Sequence, residues 1–219
     1  MYVKICGLST IESARTALDA GADAVGVVMS RRSRRTVSAD VARELASFVG
    51  GAADVVLVVD ELPAAEAAAI AGGIGADVVQ LHGAGYSPDD VATASAAGLR
   101  VWRATSVTSA DDVAAGSWGE ETLLLDSPDP GSGRRWDFAV LAGRPVPGRW
   151  MLAGGLDPEN VAEAVASARP WGVDVSSGVE SAPGIKDLDA SARSSRPRRR
   201  PDPGRERLSR GRPAVTGPA

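Results

Sequence analysis

Three observations predict that this chain folds as a parallel (β/α)8 barrel, the TIM-barrel class. Eight short runs rich in Val, Ile and Leu alternate with Ala-rich stretches of helical pattern. Such alternation requires parallel pairing with right-handed crossovers. No GxGxxG motif follows the first run, which weighs against an open doubly wound sheet. The predicted strands are 2–6, 23–29, 54–60, 77–82, 99–105, 121–126, 149–153 and 172–176, a spacing of about 25 residues that suits a barrel. Helices are expected near 9–20, 38–49, 63–71, 88–97, 109–115, 136–142 and 157–168. Ser9, Ser38 and Asp157 stand at or near helix starts, where their side chains can accept from free N–H groups. Gly21 and Gly98 stand where helices end.

Composition narrows the function classes. The chain has 219 residues and is 44% hydrophobic, enough for one barrel-sized core. A single Cys excludes an intrachain disulfide, and one Cys with one His argues against a structural zinc site. No metal or cofactor is expected. The N-terminal run lacks a basic segment followed by an apolar one, and no apolar stretch reaches the roughly 18–20 residues of a membrane span. A soluble cytoplasmic protein, a monomer or homodimer with no membrane association, is the expectation. The net charge of −4 hides an asymmetry: residues 188–219 carry nine Arg against three acidic residues. That leaves an acidic body and a basic tail.

Strand-end parity marks candidate site residues. Side chains alternate along a strand, and the C-terminal ends of barrel strands face the active site. By this count Lys4 and Cys6 share one face of strand 1, Gln80 and His82 of strand 4, Leu124 and Asp126 of strand 6, and Asp174 and Ser176 of strand 8. The only Cys, the only His and two Asp therefore fall where catalytic groups belong. Two Gly-rich turns, Gly154-Gly155 after strand 7 and Ser177-Gly178 after strand 8, read as phosphate sites. Gly permits close backbone approach, and exposed N–H groups cradle an oxyanion.

In order, the chain contains Lys4-Ile5-Cys6-Gly7-Leu8, Gln80-Leu81-His82-Gly83, Leu124-Leu125-Asp126-Ser127, Leu152-Ala153-Gly154-Gly155-Leu156 and Gly172-Val173-Asp174-Val175-Ser176-Ser177-Gly178-Val179-Glu180. With Pro183-Gly184-Ile185-Lys186-Asp187 following, this resembles the phosphoribosylanthranilate isomerases of tryptophan biosynthesis over residues 1–187. The resemblance implies an Amadori rearrangement of a small phosphoribosyl substrate, N-(5-phosphoribosyl)anthranilate, to 1-(2-carboxyphenylamino)-1-deoxyribulose 5-phosphate. It implies Asp126 as general acid and Cys6 as general base, with Arg35 on the anthranilate carboxylate. Arg34 takes that place if the alignment slips by one. A guanidinium suits a planar anion. His82 either contacts substrate or closes strand 4, and Asp174 lines the site. Lys4 is placed to stabilise a Cys6 thiolate, since free Cys titrates near about 8.5. The loop Pro130-Gly131-Ser132-Gly133 is expected to cover the substrate.

Two alternatives stay open at this stage. One is the related histidine-pathway or bifunctional isomerase, although that family carries Asp where Cys6 stands. The other is an inactive homologue, because residues 188–219 cannot supply the eighth helix. Their large apolar residues are Leu188, Leu208 and Val215, and five prolines interrupt them. The barrel is thus expected to lack a normal eighth helix and to end at 187, followed by a disordered tail. An out-of-frame stretch explains that composition best. A genuine tail with its seam covered by a partner chain is a second explanation. Nucleic-acid binding by the Arg cluster is disfavoured, because no aromatic residue interleaves it.

Overall fold

The computed structural model describes residues 1–106, 114–127, 138–141, 146–182 and 185–186. Eight parallel strands close into a barrel in sequence order: β1 (Tyr2–Cys6), β2 (Ala24–Val28), β3 (Asp54–Val59), β4 (Val78–His82), β5 (Arg100–Ser106), β6 (Thr122–Asp126), β7 (Trp150–Leu152) and β8 (Gly172–Val175). β1 pairs with β8 to complete the ring, with Lys4 opposite Asp174. A short antiparallel pair, β9 (Glu180–Ala182) and β10 (Ile185–Lys186), follows β8.

Each predicted strand is found, with ends shifted by a residue or two. Helices α1 (Ile11–Asp19), α2 (Ala39–Val49), α3 (Ala64–Ile74), α4 (Pro88–Ala96) and α5 (Val161–Ala168) lie outside the barrel. Ser38 caps α2, accepting from Val41 N. The cap of α1 is Thr10 rather than Ser9, because Thr10 and Ser13 bond reciprocally. The helix expected from 157 begins at 161. Asp157 instead accepts from the N–H groups of Glu159 and Asn160 and shapes the turn before it. Of the stretch expected to be helical at 136–142, residues 138–141 form a single 3-10 turn. The helix expected at 109–115 falls mostly outside the described residues, and its last two positions, 114 and 115, enter a turn. The loop at 130–133, expected to cover the substrate, and the stretch at 188–219, where no normal eighth helix is expected, also fall outside the described residues.

Two apolar clusters follow from strand alternation. Outward-facing Ile5, Val25, Val27, Leu57, Val79, Leu81, Leu123, Leu125 and Val173 pack against the helices. The helices meet them largely with Ala: Ala14, Ala17, Ala42, Ala67, Ala71 and Ala94 are buried. Small side chains keep helix propensity high and let the helices lie close to the strands. Inside the barrel, Ala24, Val56, Val58, Val78, Trp102, Ala104, Leu124 and Met151 fill the interior beneath Cys6.

The N-terminal end of the barrel is closed by a polar and aromatic floor that sequence reading did not foresee. Tyr2 donates to Asp54, and Arg100 bridges Asp54 and Glu121 at 2.9 Å to each. The Trp102 indole also donates to Glu121, and Tyr2 stacks on Trp171 at 4.5 Å. Burial, then Asp54, push the Tyr2 phenol far above its usual range. On the outer side of β5, Arg103 forks onto the fully buried Glu120 at 3.1 and 2.8 Å. Its guanidinium lies 4.4 Å over Trp118.

Candidate active site

The C-terminal ends of the strands surround an open cavity of about 1130 Å³. Every residue singled out by parity lines it or lies directly beneath it. Cys6, Gln80, His82, Asp126, Asp174 and Ser176 are all lining residues, as are Arg35, Gly154, Gly155 and Ser177.

Lys4 sits one layer below Cys6 with no solvent exposure, and its ammonium meets Asp174 Oδ2 at 2.8 Å. Burial alone would lower the Lys4 pKa. Asp174 and then Cys6 outweigh it and hold the ammonium above its ordinary value. Gly26 on β2 makes room for this pair. A β-carbon there would stand 2.8 Å from Cys6 Sγ and 3.1 Å from Lys4 Cε. A buried cation beside a thiol favours the thiolate.

Across the cavity, Asp126 ends β6. Its Oδ1 accepts from Ser127 N at 2.7 Å, and its Oδ2 lies 3.2 Å from His82 Nε2. Beneath Asp126, Gly154 (φ +84) and Gly155 (φ +63) both adopt left-handed backbone. A β-carbon on Gly154 would reach Asp126 Oδ1 at 2.6 Å, so the turn after β7 packs directly on the carboxylate.

Gly178 packs on the same turn: its β-carbon would lie 1.9 Å from Leu156 O. The two Gly-rich turns are therefore in backbone contact. Among the described residues, the N–H groups of Gly154, Gly155, Ser177 and Gly178 have no backbone acceptor. Free N–H groups converging from two turns are what an oxyanion requires.

Arg35 lies at the opposite rim. Its stem crosses Gly7, where a β-carbon would meet Cδ at 2.6 Å. Its guanidinium is bound by Glu180 through Nε at 2.6 Å and Nη2 at 3.0 Å. Those hydrogen bonds raise its pKa despite burial. Arg34, the alternative, lies exposed on the same rim.

Strand parity also marks a residue after β3. Applied there, the alternation of Val56 and Val58 places Asp60 over the cavity, which it lines. Asp60 Oδ1, Gln80 Oε1 and Asp174 Oδ1 are buried acceptors with no hydrogen-bond partner among the described residues. Buried acceptors of this kind suit the hydroxyl groups of a bound sugar. Glu180 belongs to the motif after β8, and nothing local in the sequence marks it as the partner of Arg35.

A thiol and a carboxyl group facing one cavity at the C-terminal end of a closed parallel barrel, beside two Gly-rich turns, are the arrangement of a (β/α)8-barrel enzyme. The profile of N-(5'phosphoribosyl)anthranilate (PRA) isomerase matches residues 3–192. An N-(5'-phosphoribosyl)anthranilate isomerase of Paracoccus denitrificans is 45% identical over 199 residues, covering 85% of this chain and 92% of that protein. The crystal structure of TrpF from Jonesia denitrificans superposes with a TM-score of 0.81 at 50% identity, covering 89% of this chain and 95% of that one. A phosphoribosylanthranilate isomerase in complex with reduced 1-(o-carboxyphenylamino)-1-deoxyribulose 5-phosphate superposes at 0.74 and 30% identity, covering 89% and 96%. The chain belongs to the N-(5'-phosphoribosyl)anthranilate isomerase family. Among the described residues, no helix is long and apolar enough to cross a membrane.

Proposed function

We propose that this chain catalyses the Amadori rearrangement of N-(5-phosphoribosyl)anthranilate to 1-(2-carboxyphenylamino)-1-deoxyribulose 5-phosphate in tryptophan biosynthesis, with residues 1–187 as the active unit. One observation carries the reading. Cys6 and Asp126 line one cavity that is also lined by Arg35 and by Gly154, Gly155 and Ser177 of the two Gly-rich turns. The related protein bound to the reduced carboxyphenylamino product has an anion at each end of its ligand. Here the phosphate would rest on Gly154, Gly155, Ser177 and Gly178, and the anthranilate carboxylate on Arg35.

The chemistry then runs in two proton transfers. Protonated Asp126 gives its proton to the ribose ring oxygen. The C1–O bond breaks as the anilino nitrogen lone pair forms the C1=N bond of a Schiff base. The Cys6 thiolate takes the C2 proton, and the C2–H electrons move to form C1=C2 while the nitrogen regains its lone pair. The resulting enolamine loses its C2-hydroxyl proton and gains one at C1, giving the ketone. Lys4 supports the thiolate form of Cys6, and His82 Nε2 lies within hydrogen-bond reach of Asp126. Proximity of the two groups to one bound sugar supplies much of the rate. Asp174 Oδ1 and Asp60 Oδ1 are the acceptors for sugar hydroxyls.

Complementation of a tryptophan auxotroph lacking this isomerase tests the activity, and growth is the expected result. Cys6→Ala abolishes turnover in the purified protein while leaving phosphate binding within a few-fold of the parent. Near-parental turnover in Cys6→Ala removes Cys6 as the base. The protein works in the cytoplasm as a monomer or homodimer, which analytical ultracentrifugation distinguishes.

A further inference from the structure

Arg35 lies in the loop between β2 and α2, next to Thr36, which bridges back to Val28. The loop holds Arg31, Arg32 and Arg34 exposed on either side of it. Yet Arg35 is only 16% exposed, and its whole length is restrained. The stem lies on the backbone of Gly7, next to Cys6. The planar head is gripped side-on by Glu180, whose side chain is 5% exposed and which directly follows the Ser177–Val179 turn.

A guanidinium has two bidentate edges, one through Nε and Nη2 and one through Nη1 and Nη2. Glu180 occupies the first. The second, Nη1 with the remaining Nη2 hydrogen, has no partner among the described residues and belongs to a side chain that lines the cavity. We propose that Glu180 is the positioning residue for substrate-carboxylate recognition: by holding the side edge of Arg35, it presents the end edge, already oriented, to the aryl carboxylate. This rests on the reading of Arg35 as the carboxylate ligand.

The arrangement has two physical consequences. A flexible arginine pays rotamer entropy when it binds, and a pre-held one has paid it during folding. Glu180 balances the charge of Arg35 but leaves donors on its second edge open, and one guanidinium can serve two carboxylates on separate edges. Glu180 is continuous with the turn that offers Ser177 and Gly178 to the phosphate. The supports for the two anions of the substrate therefore meet in one segment of chain, the loop after β8.

The test compares two ligands. One is reduced 1-(o-carboxyphenylamino)-1-deoxyribulose 5-phosphate, and the other is its phenylamino counterpart without the carboxylate. Calorimetry gives the ratio of their dissociation constants. The parent protein should favour the carboxylate-bearing ligand by about 10- to 100-fold, the range for one charge-assisted bidentate contact. Arg35→Ala brings the ratio to about one. Glu180→Gln brings it to within about threefold of one, while binding of the carboxylate-free ligand changes little. If Arg35→Ala keeps the parental ratio, Arg35 is not the carboxylate ligand and the proposal falls with that reading. If Arg35→Ala loses the ratio but Glu180→Gln keeps it, the Arg35 reading stands and the positioning role of Glu180 is overturned. Equal weakening of both ligands by Glu180→Gln overturns it too, since that is what a general structural role produces. Arg35→Lys serves if Glu180→Gln does not fold. It keeps the charge but offers no second planar edge, so the ratio collapses, and a parental ratio in Arg35→Lys refutes the two-edge geometry.

Discussion

Gly178→Ala places one methyl group between the two Gly-rich turns. The added carbon would lie 1.9 Å from Leu156 O, 2.7 Å from Leu156 C and 2.8 Å from Asp157 Cα, all backbone atoms. Cβ contacts under 3.0 Å essentially never occur, so the turns must part by about an ångström. Leu156 is 2% exposed and packed in the outer core, so it cannot retreat without opening a void. The backbone of Gly178 is not left-handed, which makes space rather than strain the cause. N–H groups moved an ångström from a bound phosphate leave the range of about 2.7–3.2 Å for a hydrogen bond. Each such bond to a charged group contributes about 1.5–3 kcal/mol, so loss of one raises KM by roughly 10- to 100-fold. Initial-rate kinetics over substrate concentration, with displacement of a product analogue by inorganic phosphate, measure this. A KM within twofold of the parent, with an unchanged Tm, would refute both the tight packing of the turns and their role in phosphate binding.

Other perturbations follow from the same contacts. Gly26→Ala drives a β-carbon to 2.8 Å from Cys6 Sγ, and kcat should fall by about tenfold or more because sub-ångström misplacement is costly at a reacting atom. Parental kcat would argue against the crowded geometry. Lys4→Met removes the cation beside Cys6 and leaves Asp174 uncompensated; the acidic limb of the kcat/KM pH profile should move to higher pH, because a thiolate without its cation forms less readily. An unmoved limb assigns Lys4 to structure alone. Glu120→Ala strands the buried Arg103 and should cost about 3–5 kcal/mol, roughly 10 °C in Tm by calorimetry, whereas a shift under 2 °C contradicts the pairing. Both tyrosines of the chain have raised phenol pKa values, Tyr2 through burial and Asp54, and Tyr86, through burial and then Asp90, pushed up to about 12. A raised phenol contributes stability that is intact below about pH 10 and is lost as pH climbs toward the folded value, so stability should fall above pH 10. Absorbance at 295 nm should show little tyrosinate in the folded protein at pH 10.5; half-ionised tyrosine there would contradict the buried environments.

Strand alternation made much of the site legible, and its reach was local. Cys6, His82, Asp126 and Asp174 could be placed on the barrel mouth because a strand's period of two needs no knowledge of its neighbours. The same parity placed Lys4 under Cys6. It could not say that Lys4 meets Asp174, because that contact depends on the register with which β1 closes against β8. Glu180 and Arg35 are 145 residues apart and joined only by tertiary structure. The barrel floor was hidden for the same reason: Tyr2, Asp54, Arg100 and Glu121 come from four strand beginnings, and each alone reads as an ordinary polar residue at a strand edge. The starts of α1 and α5 lie a few residues later than the pattern suggests: Thr10 and Ser13 bond reciprocally to cap α1, whereas Asp157 and Asn160 exchange bonds in the turn before α5.

The pairing of Lys4 with Asp174 also bears on how the protein comes into being. It joins residues 170 positions apart, across the seam between the first and last barrel strands. Neighbouring strands can zip together from local contacts, but this junction must close nearly the whole barrel into a loop, an entropic cost borne late and repaid only on completion. The charge partner of the proposed base is thus assembled by the ring-closing event itself. In a refolding experiment, far-UV circular dichroism should recover first, and turnover should return only with the slower phase in which Tyr2 stacks on Trp171 and the indole fluorescence changes. An open, partly folded barrel would carry Cys6 but no competent thiolate, so the chain stays chemically silent until its ends have met.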